Sequence, residues 1–89
     1  MVPEQLELRP EVQWFAQEME KILRKNDHKG KWQGCGEVEL FEFLDNKIMT
    51  LDNALKGYIG RTDWQKVIKE ATDLANYAMM IADLARKKV

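Results

Sequence analysis

Apolar residues recur at helical spacing in three stretches of this chain, separated by polar, glycine-rich segments. In the first, Val12, Phe15, Met19 and Ile22 follow one another at steps of three or four, with Leu23 alongside. Gln13, Gln17, Glu18, Glu20, Lys21 and Arg24 fill the intervals. That period predicts an amphipathic helix over about 11–25. Pro10 suits its entrance, where the missing N–H would have no helical partner in any case.

The second stripe runs through Phe41, Leu44, Ile48, Leu51, Leu55 and Tyr58. It predicts a helix over about 37–58, stopped by Gly57 and Gly60. Thr62 then reads as an N-cap, with Asp63 in the first turn and Gln65 three residues on, as in a capping box. The third helix is expected to bury Trp64, Val67, Ile68, Ala71, Leu74, Ala75, Ala78, Ile81, Ala82 and Ala85. Its alanines permit close packing. Arg86, Lys87 and Lys88 suit the negative end of its dipole.

No segment alternates with the period of a strand, so the expected fold class is all-α with three main helices. The short link between the second and third favours an antiparallel hairpin core. Residues 1–89 read as a single helical domain, with a 1–10 N-terminal extension and a 26–36 loop. Helix 3 is apolar round much of its girth once Met79 and Met80 are added to the stripe. That excess predicts a second contact surface and a homo-oligomer, dimer or tetramer; the plainer alternative is a crowded monomer core.

Composition narrows the function classes. With 45% hydrophobic and 33% charged residues the chain is globular rather than disordered. Fourteen basic against fifteen acidic residues give a net charge of −1, which argues against a nucleic-acid coat. The single cysteine, Cys35, excludes an internal disulfide and a cysteine-only metal knuckle. No apolar run approaches the roughly 18–20 residues that span a bilayer. Met1 to Pro10 also lacks the basic-then-apolar plan of a signal peptide. The expectation is a cytoplasmic protein with no membrane partner.

Two places carry candidate chemistry. Glu70 and Asp73 stand three apart on the third helix and flank the stripe of Ala71 and Leu74. Two hard oxygen ligands at a helix seam can hold Mg²⁺ through a few waters, whereas an acidic pair on an ordinary helix is a solvated face. The loop supplies Arg24, Lys25, Lys29 and Lys31 beside His28 and Trp32. Cations next to an aromatic ring can hold phosphate and stack on a base. The plainer alternative has Trp32 plugging the end of the bundle. His28 is the only histidine, so a two-histidine metal site within the chain is excluded. Cys35 lies between Gly34 and Gly36 with no histidine in a matching motif, which disfavours a nucleophile. No P-loop, GxSxG elbow or zinc spacing occurs.

The stretch from Glu70 to Asp83, Glu-Ala-Thr-Asp-Leu-Ala-Asn-Tyr-Ala-Met-Met-Ile-Ala-Asp, resembles the last core helix of MazG-like all-α nucleotide pyrophosphohydrolases. Trp14-Phe15-Ala16 and the loop from Asn26 to Trp32 resemble the same family, in its short single-domain form from phages and mobile elements. The resemblance implies Mg²⁺-dependent hydrolysis of a (d)NTP to (d)NMP and pyrophosphate. In that family two acidic pairs on neighbouring helices hold the metal. The second pair carries over to Glu70 and Asp73 as metal ligands and catalytic residues, with Asn76 one turn on as a further ligand. Lys29, Lys31 and Trp32 carry over as nucleotide contacts.

The first pair does not carry over. Matching Leu51-Asp52-Asn53-Ala54-Leu55 to the family's pattern puts the ligand positions at Lys47 and Thr50. Of the preceding acidic cluster only Asp45 remains, as a weaker candidate ligand. A literal ExxE occurs at Glu39 and Glu42, but eight positions earlier, roughly 12 Å further along the helix. Those two read as a solvated face. The reading is then a nucleotide-binding protein whose hydrolysis is impaired, with Mg²⁺ weakened or displaced by Lys47. The alternative is a non-catalytic interaction or nucleotide-binding module that has lost the metal cage.

Overall fold

The computed structural model describes residues 6–57 and 60–89. Helix α1 spans Pro10–Lys25, α2 spans Glu37–Lys56 and α3 spans Trp64–Arg86. Two short 3₁₀ turns, Asp27–Lys29 and Trp32–Gly34, lie in the loop between α1 and α2. The described residues contain no strand element. The all-α expectation therefore holds, with its hairpin: α2 packs along α3, and α1 packs on α3 and not on α2.

Pro10 begins α1 at a position where its absent N–H costs no hydrogen bond. Helix α2 stops at Lys56 because Gly57 takes a φ of +70°. Arg61's carbonyl presses against the place a Cβ would fill there, so the turn needs glycine twice over. Tyr58, the last residue of the expected stripe, lies outside the described residues.

The cap of α3 departs from expectation. Asp63, not Thr62, is the N-cap, and its side chain accepts a hydrogen bond from the Lys66 backbone N–H at 3.2 Å. The Thr62 hydroxyl instead donates to the Leu55 carbonyl at 3.2 Å, closing the end of α2. Two capping-competent residues stand side by side in the sequence, and the chain uses one for each helix.

The burial pattern of α3 departs further. Trp64 is 65% exposed, and Ala78, Ala82 and Ala85 are also exposed rather than buried. The fully enclosed positions of α3 are polar: Glu70, Thr72 and Asn76. Leu40 and Ala54 are the buried apolar residues among those described. Thr72 is satisfied within the helix, donating to the Ile68 carbonyl at 2.7 Å.

The radius of gyration, 15.1 Å, exceeds the roughly 12 Å of a compact chain of this length. Large apolar side chains stay outside, among them Val12, Trp14, Phe41, Ile48 and Leu55. Phe41, Ile48 and Leu55 recur every seven residues and form one exposed stripe on α2. No helix among the described residues is long and apolar enough to cross a membrane.

Candidate functional site

The inner face of α2 runs through Leu40, Leu44, Lys47, Thr50 and Ala54, a helical succession that lies against α3. Lys47 and Thr50 therefore face the same partner as the buried leucine and alanine. From α3, Glu70 and Asp73 share a side by their spacing of three.

The four side chains meet. Lys47 Nζ lies 3.3 Å from Asp73 Oδ2 and 3.5 Å from Glu70 Oε2. The Lys47 side chain is 27% exposed, against 9% for Glu70 and 12% for Asp73. The ammonium is thus drawn into the seam rather than extended to solvent. Thr50 Oγ1 stands 2.8 Å from Glu70 Oε2 and 3.0 Å from the Lys47 carbonyl, so its single proton is shared between two acceptors. Lys69 adds a second cation, 2.9 Å from Asp73 Oδ2 and 3.8 Å from Glu70 Oε1. Its hydrogen bond to Asp73 holds the Lys69 ammonium pKa above the ordinary lysine value against the opposing effect of burial.

This donor set does not suit a divalent cation. Two carboxylates already share two ammonium groups, and a hydroxyl donates to one of them. Among the described residues no group of three or more histidine, cysteine, aspartate or glutamate side chains is placed to hold a metal. Asp45 is exposed on α2. It stands two residues from Lys47, about 200° round the helix from the seam. The Asn76 amide nitrogen donates to the Met19 carbonyl at 3.3 Å, tying α3 to α1.

A cavity of about 400 Å³ opens next to the seam, between the loop and all three helices. Lys29, Lys31 and Trp32 line it from the loop, and Asp73 and Asn76 line it from α3. The loop and helix candidates read separately in the sequence therefore border one space. Glu70 lies outside that lining. Phe43 and Tyr77 also border the cavity. They stack with ring centroids 5.6 Å apart and an interplanar angle of 29°. Neither was singled out by the hydrophobic pattern. Phe43 falls off the α2 stripe by two positions from Phe41, and only the crossing of α3 brings Tyr77 opposite it.

Trp32 is fixed at one edge of this space. Its indole N–H donates to Asp83 Oδ2 at 2.9 Å. That bond, then one from Arg86, holds the Asp83 carboxyl below its ordinary pKa. The plugging and lining roles of Trp32 are thus compatible: the ring nitrogen anchors it to α3 while the side chain borders the cavity.

Glu39 borders the cavity too, although it is exposed like Glu42. Partial burial, and then the neighbouring Glu39, push the Cys35 thiol pKa up. A thiol held protonated is a poor nucleophile. His28 is exposed in the first 3₁₀ turn.

Comparison with protein-family models, curated proteins and solved structures finds no match to this chain.

Proposed function

We propose that this chain binds nucleotides on a helical scaffold similar to that of the MazG-like pyrophosphohydrolases, with hydrolysis of the triphosphate impaired. The observation that carries the reading is the Lys47 ammonium, 3.3 Å from Asp73 and 3.5 Å from Glu70. An ammonium between the two carboxylates, with Lys69 beside them, supplies the two positive charges that a divalent ion would bring. It cannot act as a Lewis acid or lower the pKa of a bound water. The scaffold keeps its charge balance and loses the means to generate the attacking nucleophile.

The cavity supports the binding half of the reading. Lys29 and Lys31 supply cations for phosphate, while Trp32, Phe43 and Tyr77 supply aromatic surface for a base. Its volume falls within the roughly 300–1,000 Å³ of small-molecule sites.

The experiment pairs two readouts on a panel of NTPs and dNTPs with Mg²⁺ or Mn²⁺. Calorimetry reads binding, and chromatography reads products. Binding with no more than trace monophosphate and pyrophosphate is the expected result. Rapid release of both products, lost in Glu70→Gln, would overturn the impairment. Absence of binding would overturn the nucleotide reading.

A second reading, a module for protein–protein association, draws on the exposed stripe of Phe41, Ile48 and Leu55. Large apolar side chains exposed along one helix face favour burial against another chain. The thin core of the isolated chain favours self-association into a dimer or tetramer, which is compatible with nucleotide binding in the neighbouring cavity.

A further inference from the structure

The residues that border the cavity separate by exposure. Asp27, Lys29, Lys31 and Glu39 are all exposed and make a charged rim. Ile22, Leu23, Leu40, Tyr77 and Met80 are buried or half-buried and make an apolar interior. Asp73 also borders the space, but its carboxylate is held by Lys47 at 3.3 Å and Lys69 at 2.9 Å. A ligand with a flat ring and a charged tail therefore fits ring first, with its tail at the rim.

The charge available at that rim is small. Lys29 and Lys31 are the cations in the lining, and among the described residues neither forms an ion pair. Asp27 and Glu39 form none either, so two uncompensated carboxylates share the rim with two free ammonium groups. A phosphate monoester carries about −1.5 to −2 at neutral pH, which the two ammonium groups match. A longer phosphate chain adds negative charge for which the lining holds no further cation, beside carboxylates that repel it. The ammonium groups of Lys47 and Lys69 are already held by Glu70 and Asp73. The cavity volume, about 400 Å³, lies toward the small end of the roughly 300–1,000 Å³ of small-molecule sites.

Resting on the nucleotide reading, we infer that the site selects nucleoside monophosphates over triphosphates. The base takes the apolar interior, and the single phosphate meets Lys29 and Lys31. Further phosphates extend past the two lysines, gain no cation and meet the field of Asp27 and Glu39. The preference is a consequence of charge count and holds in the absence of a divalent ion.

The test uses the wild-type protein with cytidine, CMP and CTP, titrated by calorimetry with EDTA present. The three ligands share base and sugar and differ only in phosphate. CMP is expected to bind tightest, about fivefold tighter than CTP, the scale of one like-charge contact at a protein surface. Cytidine is expected to bind more weakly than CMP, because it lacks the charge that the lysines meet. The double substitution Asp27→Asn with Glu39→Gln removes two exposed carboxylates and should raise CTP affinity more than CMP affinity, narrowing the ratio. A thermal melt confirms that the variant is folded, and the wild-type comparison stands without it. CTP binding as tightly as CMP or tighter would overturn the inference and leave the nucleotide reading standing. So would cytidine equal to CMP, or an unchanged ratio in the folded double variant. Failure of all three ligands to bind would overturn both.

Discussion

Lys47 on α2 and Asp73 on α3 form an ion pair of 3.3 Å across a helix seam, and Glu70 stands 3.5 Å from the same ammonium. The lysine is 27% exposed, so its charge is partly desolvated and its removal strands carboxylates that are more deeply buried than it is. Breaking such a pair from one side costs more than the pair contributes, because the remaining charge keeps its desolvation penalty. Lys69 still neutralises part of it. Lys47→Met should therefore destabilise the fold by about 1–3 kcal/mol, below the full buried-pair cost. The double substitution Lys47→Glu with Thr50→Glu should be less stable in EDTA and recover with added Mg²⁺. Thermal melts with and without the ion check this. A double variant that Mg²⁺ does not stabilise would contradict the equivalence between ammonium and metal.

Gly57 and Gly60 both adopt positive φ, +70° and +71°, yet they differ in their surroundings. A Cβ on Gly57 would collide with the Arg61 backbone, whereas a Cβ on Gly60 meets open space. Gly60→Ala should cost about 1 kcal/mol, the ordinary penalty of left-handed backbone. Gly57→Ala should cost at least about 2 kcal/mol, since the backbone must also move. Chemical denaturation of the two single variants measures the difference. Equal losses would contradict the packed turn.

The Asp83 carboxyl accepts from the Trp32 indole at 2.9 Å and from Arg86 at 2.8 Å, and these bonds lower its pKa in the folded chain. A carboxylate with a depressed folded pKa stabilises the fold fully above its unfolded value of about 3.9. That contribution is lost as pH falls through the lower folded value. Trp32 fluorescence should therefore report an acid transition below pH about 4. In Asp83→Asn the pH dependence carried by this group should vanish. An unchanged profile would show that the transition belongs to other carboxylates.

The exposed stripe of α2 predicts association. Ile48 is the central member of the seven-residue series with Phe41 and Leu55. Light scattering on the wild-type protein should give a dimer or tetramer, and Ile48→Lys should lower the mass to that of one chain. Retention of the wild-type mass in the variant would move the contact to another face, such as that of Val12 and Trp14 on α1.

Much of the fold was legible in the hydrophobic pattern. The three helices follow their apolar periods, and the ends of α1 and α2 follow Pro10 and Gly57. The placement of Lys47 and Thr50 beside Glu70 and Asp73 follows from the hairpin, because an antiparallel turn near Gly60 sets residues about 47–51 opposite Glu70 and Asp73. Periodicity alone could not separate buried from exposed alanines on α3: a helix packed on two sides at different heights has no single inner face. Trp64 illustrates this, standing exposed at the start of the helix. Nor could local pattern find the hydrogen bond between Trp32 and Asp83, 51 residues apart. The cavity depends on where the loop folds over α3, and no spacing in the chain records that. The choice between Thr62 and Asp63 as the cap was ambiguous because both side chains can accept from a helix N-terminus.

The central claim is nucleotide binding without a metal, with Lys47 standing where a divalent ion would. The most direct measurement is a calorimetric titration of the wild-type protein with one nucleotide, CMP, first in EDTA and then in millimolar Mg²⁺. The account predicts binding in EDTA and an affinity in Mg²⁺ within about twofold of it, since no bound metal bridges protein and phosphate. Binding that appears only with Mg²⁺ would contradict the account and return Glu70 and Asp73 to service as metal ligands.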